Sequence, residues 1–116
     1  MSEYKVLFHI DEINKWKLLL TNVGNLIAGM DDENICIEVV ANAAAVQYYD
    51  RNQDRDTDVD MIVVLAEKGV KFVACNNALK GFDIEKENLI SFVEVVPSGI
   101  VEIVKRQSEG FSYIKP

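Results

Sequence analysis

Five short apolar runs, each separated from the next by a stretch long enough for a helix, constrain this chain more than any other feature of its sequence. They occupy residues 4–10, 35–40, 70–75, 92–96 and 111–114. The central ones are nearly continuous in Val, Ile, Leu and Phe instead of alternating with polar residues. That is the composition of parallel strands covered on both faces by helices.

The connecting segments read as helices. Ile13, Trp16, Leu19, Leu20, Val23, Leu26, Ile27 and Met30 recur at the three-four spacing of one helical face. Asp11 stands where an N-cap belongs, and Gly29 with Asp31 and Asp32 closes the segment. A short alanine-rich helix is expected over Ala43–Tyr49. A further helix carries Val59, Ile62, Val63 and Ala66 inward before Gly69, and a brief one follows Asn76. Residues 83–90 form a short helical or irregular piece anchored by Ile84 and Leu89. Ser98 caps a last helix with Ile100, Val101, Ile103 and Val104 buried, Lys105 and Arg106 in its final turn, and Gly110 at its end. The order β-α-β-α-α-β-α-β-α-β predicts a three-layer α/β/α sandwich on a mostly parallel five-stranded sheet, flavodoxin-like in general organisation.

At 116 residues the chain fits one domain, 1–116, and its 49% hydrophobic content suffices for a core without staples. Twelve Lys and Arg against nineteen Asp and Glu leave a net charge of −7. Such a surface argues against sequence-independent nucleic-acid binding and against anionic membranes, both of which require cationic side chains. Cys36 and Cys75 form neither a CxxC pair nor a disulfide framework, and His9 is the sole histidine. No metal or other cofactor is expected. The start of the chain lacks a basic, apolar leader, no run reaches the length of a spanning helix, and the cysteine usage suits a reducing compartment, so a cytoplasmic location is expected.

Residues 50–58 are strongly polar, and Asp54, Asp56, Asp58 and Asp60 invite a calcium reading. An EF-hand loop starting at Asp54 needs glycine sixth and glutamate twelfth, where Val59 and Leu65 stand instead. A solvated loop whose Thr57 caps the next helix accounts better for the stretch. Nucleotide-binding glycine loops are absent: His9-Ile10-Asp11-Glu12 follows the first strand. A phospho-receiver would need an aspartate where Cys75 stands.

Ligands of parallel sheets bind beyond the carboxyl ends of the strands. Those ends supply His9, Asn42, then Cys75 with Asn76 and Asn77, then Ser98 and Gly99. Cys75 leads into a helix N-terminus, whose dipole and unpaired N–H groups favour thiolate over thiol. A buried strand-end cysteine acting as a small hydrophobe explains the same position. Cys36, between Ile35 and Ile37, reads as core. His9 reads either as a base or as a partly buried ring satisfied by its surroundings. Ser98 reads as a cap, since no G-x-S-x-G elbow surrounds it. Trp16, Tyr48 and Tyr49 read as packing or subunit contacts.

The segment from Gly69 to Gly81, GVKFVACNNALKG, resembles the cysteine segment of the DsrE/DsrF-like (YchN-like) proteins. The closing stretch is similar too: Val95-Val96-Pro97-Ser98-Gly99-Ile100, then Gln107, Glu109-Gly110-Phe111 and Tyr113 to Pro116. So are His9 in the first strand, Asn22 and Asn25 in the first helix, and Val39 to Asn42. The resemblance runs from about Lys5 to Pro116. It implies a DsrE-like sandwich assembled as trimers or hexamers, with Cys75 accepting sulfur as a persulfide and passing it between donor and acceptor proteins. Three functions follow for test: a sulfur carrier or sulfurtransferase, a non-catalytic oligomer binding a small ligand or protein at the same rim, and a hydrolase using Cys75 with His9.

Overall fold

The computed structural model describes residues 3–30, 34–52 and 59–116, except for the side chains of Val59 and Asp60. The strands are β1 (Glu3–Ile10), β2 (Asn34–Ala41), β3 (Lys71–Cys75), β4 (Glu94–Val96) and β5 (Ser112–Ile114). The helices are α1 (Trp16–Gly29), α2 (Val59–Glu67), α3 (Asn76–Gly81) and α4 (Gly99–Ser108). Short 3-10 segments cover Ile13–Lys15, Ala43–Tyr49 and Lys86–Asn88. The aspartates of the rejected calcium reading, Asp54, Asp56 and Asp58, and the expected cap Thr57 lie outside the described residues, as does the side chain of Asp60. Among the described residues no three His, Cys, Asp or Glu side chains cluster closely enough to hold a metal ion. No described helix is long and apolar enough to cross a membrane.

All four strand pairings are parallel, in the order β4-β3-β2-β1-β5. The three-layer sandwich expected from the apolar runs is therefore present, though the strand order is not the 2-1-3-4-5 of flavodoxin itself. Handedness explains where the helices go. From β1 to β4 each step runs the same way across the sheet, so right-handed crossovers put every connection on one face. The return from β4 to β5 crosses three strands backwards, which throws α4 alone onto the other face.

The first face holds the main core. Val6, Phe8, Ile10, Ile37, Val39, Ala41, Phe72 and Ala74 pack there against Trp16, Leu19, Leu20, Val23, Tyr49, Ile62 and Leu79. Trp16 stacks on Tyr48 with ring centroids 4.6 Å apart and donates its Nε1–H to the Ala45 carbonyl at 2.9 Å, so the aromatic group is packing as expected. The second face is smaller, with Leu7, Val40 and Val73 meeting Ile103 of α4.

Several sequence expectations are corrected. Asp11 caps no helix. It pairs with Lys115 at 3.3 Å, while a 3-10 turn opens the segment before α1. On α2 it is Ile62 and Leu65 that are buried, while Val63 is exposed. Cys36 is exposed, not core. The strand alternation puts it on the face that α4 covers, but at the level of Lys5 near the sheet's amino edge. The largest correction concerns α4, where Gly99, Glu102 and Ile103 are buried and Ile100, Val101 and Val104 are exposed. The reason lies in the sheet beneath. Glu38 interrupts the apolar run of β2 on this face and is itself buried, so the helix turns its Glu102 and Arg106 edge inward to meet it.

Candidate functional site

The reversal of chain direction at β4 makes a topological switch point at the carboxyl edge of the sheet, the place where parallel sheets form a crevice. After β3 the chain leaves toward the main-core face as α3, and after β4 it leaves toward the opposite face as α4. Cys75 ends β3 at this divergence and is the N-cap residue of α3, with extended φ and ψ of −76° and 118°. It is 6% exposed.

Gly99 brings the start of α4 against Cys75. A β-carbon at position 99 would lie 3.2 Å from Cβ of Cys75, 3.3 Å from Cβ of Asn42 and 3.4 Å from Cγ1 of Val40. The glycine is thus a close-approach residue that seats the helix between the ends of β2 and β3. Ser98 precedes it as the cap, its Oγ accepting from the Val101 N–H at 3.5 Å.

Asn42 lies one residue past β2, at the level of Cys75 across the β2–β3 pair. Its backbone N–H donates to the Ile10 carbonyl at 3.1 Å, which pins it to the end of β1. Ala43 then turns sharply away with φ of +49°, an uncommon left-handed conformation for alanine. His9, 7% exposed, lies between Asn42 and the edge strand β5. Its Nε2 is 3.0 Å from Asn42 Oδ1 and its Nδ1 is 2.6 Å from the Tyr113 hydroxyl.

Of the residues expected at the rim, the structure therefore brings together Cys75, Asn42 and Gly99, with His9 behind Asn42. Both His9 nitrogens are engaged away from Cys75, an arrangement unlike a nucleophile–base pair. Asn76 and Asn77 belong to the first turn of α3, which packs through Leu79 onto the main-core face, and Asn77 is exposed. Tyr113 was missed as a site residue. The available signal was parity: residue 113 pairs with Leu7 and so shares its face with His9.

A second polar group lies on the same face, one level further from the rim, and the sequence analysis did not single it out. Arg106 Nε stands 3.2 Å from Glu38 Oε1 and 2.9 Å from Glu102 Oε2, and its Nη1 reaches Glu109 Oε1 at 2.7 Å. Burial, reinforced by the neighbouring Glu102 carboxyl, pushes the Glu38 carboxyl up to about 8. Glu102 moves the opposite way, held down by its hydrogen bond with Glu38 and by Arg106. The physical reading is one proton kept between two carboxyls. Glu38 Oε2 is buried without a donor among the described residues, and protonation makes that oxygen a donor. The signals in the sequence were a glutamate inside an apolar strand and the i,i+4 pair Glu102–Arg106.

Residues 19–116 match the sequence model of the DsrE/DsrF-like family. A solved structure of a protein of unknown function, MTH1491 from Methanobacterium thermoautotrophicum, is 37% identical with a TM-score of 0.87, over 98% of this chain and all of that one. The ychN protein from E. coli is similar in fold, with 18% identity and a TM-score of 0.73 over the whole of both chains. No curated protein sequence matches the chain.

Proposed function

We propose that this chain, which belongs to the DsrE/DsrF-like family, is a cytoplasmic sulfur-relay protein that carries sulfane sulfur on Cys75. The observation behind this reading is the position of Cys75 at the crevice where α3 and α4 part, beside Gly99 and Asn42. The family's association with sulfur relay supplies the chemical class.

In the step proposed, the Cys75 thiolate attacks the outer sulfur of a donor perthiolate, R–S–S⁻. The new Sγ–S bond forms as the donor S–S bond breaks and R–S⁻ leaves. The product is a Cys75 persulfide, and an acceptor thiolate reverses the process without net oxidation or reduction. No cofactor takes part.

Cys36 is an exposed second thiol, so the test removes it first. Cys36→Ser protein treated with inorganic polysulfide and desalted is expected to gain one sulfur atom by intact mass. The Cys36→Ser/Cys75→Ser double variant is expected to gain none. A single variant that gains no sulfur at any donor concentration refutes the relay.

A second reading draws on the near-complete burial of Cys75 and the outward apolar stripe of α4: a non-catalytic oligomer that binds a small ligand or protein at this rim. Either reading uses an assembly. Ile100, Val101 and Val104 are 57%, 49% and 62% exposed on consecutive turns of one helix, and a stripe of this kind is usually covered by a partner. The partner proposed is further copies of this chain, as a trimer or hexamer. Light scattering is expected to give a multiple of the 13.1 kDa protomer, and Ile100→Glu/Val104→Glu is expected to reduce it to the protomer mass. A wild-type protein already at protomer mass rules the assembly out.

A further inference from the structure

The hydrogen bonds behind Cys75 form one chain from Tyr113 through His9 to Asn42. Asn42 presents Oδ1 to His9 Nε2, so Nε2 carries the ring proton and donates. In the neutral ring Nδ1 is then an acceptor, and the Tyr113 hydroxyl donates to it. The carbonyl side of Asn42 is thereby occupied, and both amide hydrogens on Nδ2 stay available. They have no acceptor among the described residues. Turning the Asn42 amide over would move the ring proton to Nδ1 and make the Tyr113 hydroxyl the acceptor, so the orientation of Asn42 is coupled through the His9 tautomer to Tyr113.

We infer that Tyr113 and His9 are positioning residues that hold the Asn42 side-chain amide as the hydrogen-bond donor to the terminal sulfur of a persulfide on Cys75. This inference rests on the sulfur-relay reading. Asn42 and Cys75 sit side by side on one sheet face, on neighbouring strands, with only Gly99 between them and α4. In the thiol form no hydrogen bond joins them. Persulfidation lengthens the side chain by one S–S bond, about 2.05 Å, and places a negative charge at its new end. An anion in a largely buried crevice needs donors, and charge-assisted bonds are the strong ones. The strut thus favours the loaded state over the empty one and slows loss of the outer sulfur. His9 acts here through Asn42, with no proton transfer to or from Cys75.

The test uses Cys36→Ser protein as parent, loaded with inorganic polysulfide, desalted, and followed for protein-bound sulfane sulfur over time. Asn42→Leu keeps the side-chain volume and removes both donors without adding a charge beside the sulfur; its persulfide is expected to decay about tenfold faster. Tyr113→Phe removes one hydroxyl from a residue 41% exposed and is expected to speed decay about threefold. His9→Gln, which can still accept from Tyr113 and donate to Asn42, is expected to lie near the parent, while His9→Leu follows Tyr113→Phe. Iodoacetamide alkylation of Cys75 in the unloaded proteins supplies the control. It stays at the parental rate if the strut acts on the persulfide, and rises if the substitutions merely loosen the fold. Variants that hold their sulfur as long as the parent overturn the strut and leave the relay standing. A parent that never loads overturns both.

Discussion

Arg106→Met is expected to lower the free energy of unfolding by about 3 kcal/mol at pH 8, and by clearly less at pH 5. The guanidinium is the cation closest to two carboxyls, Glu38 and Glu102, whose side chains are 4% and 9% exposed. Removing one member of a buried charge cluster costs more than the cluster itself contributes, because the remaining charges stay desolvated. Arg106 is 27% exposed, so the figure belongs at the lower end of the range for buried pairs. Lys71 is the other cation acting on this pair, and it is half committed to Glu94 at 3.7 Å.

The pH dependence follows from proton binding. Glu38 titrates near 8 in the folded chain against an ordinary value of 4.5, so between those values the folded state binds a proton that the unfolded state has released. Stability contributed by Glu38 is complete below about pH 4.5 and is lost as pH rises through 8. Glu102, shifted downward, works in the other direction: its contribution is present above 4.5 and is lost as pH falls through its folded value. Tyr49 is held well above its ordinary value by burial and stays neutral throughout that window. Urea unfolding of the wild type at pH 5, 6.5 and 8 is expected to show stability declining toward the basic end. Glu38→Gln keeps a hydrogen-bond donor for Glu102 without the charge. It is expected to flatten the decline and to stabilise the protein at pH 8 by about 2 kcal/mol. A wild-type profile level from pH 5 to 8 contradicts the shared proton.

The same cluster shows why the sequence was legible in one place and not in another. Apolar runs and their spacing were enough for the layers, because a strand buried on both faces leaves a continuous signal and Trp16, Leu19, Leu20 and Val23 leave a helical one. The face of α4 was not recoverable that way. A hydrophobic-stripe reading buries Ile100, Val101 and Val104, whereas the helix buries Glu102 with Ile103 because Glu38 lies beneath it. Nothing local to residues 99–108 encodes a glutamate sixty positions earlier. Cys36 failed for a related reason. Its neighbours Ile35 and Ile37 face the main core, and the one-residue alternation puts the thiol on the opposite face, near an edge α4 leaves uncovered. The rim residues Cys75, Asn42 and Gly99 were legible because strand ends of a parallel sheet converge. Tyr113 was not, since its role depends on β5 pairing beside β1, a fact of strand order.

Gly99→Val is expected to be the most disruptive single change at the rim, costing about 3 kcal/mol, with Gly99→Ala costing about 1 kcal/mol. Glycine here serves close approach and not an unusual backbone angle. The three atoms an added β-carbon would meet are two strand-end β-carbons and a core Val40 methyl, at 3.2 to 3.4 Å. None is the free end of a flexible chain, so relief comes only if α4 backs away from the sheet. Such a retreat pulls on Ile103, which closes the small core of this face, and on Arg106 at the other end of the helix. A small gain in helix propensity from alanine offsets part of the cost, which is why the valine variant is the sharper probe. The consequence at the crevice is exposure of Cys75. Iodoacetamide alkylation offers an internal comparison, because Cys36 is already exposed and lies far from Gly99. In Gly99→Ala the Cys75 rate is expected to rise about tenfold toward that of Cys36, which stays constant. Equal stability and an equally protected Cys75 in that variant would mean that α4 does not hold the thiol closed.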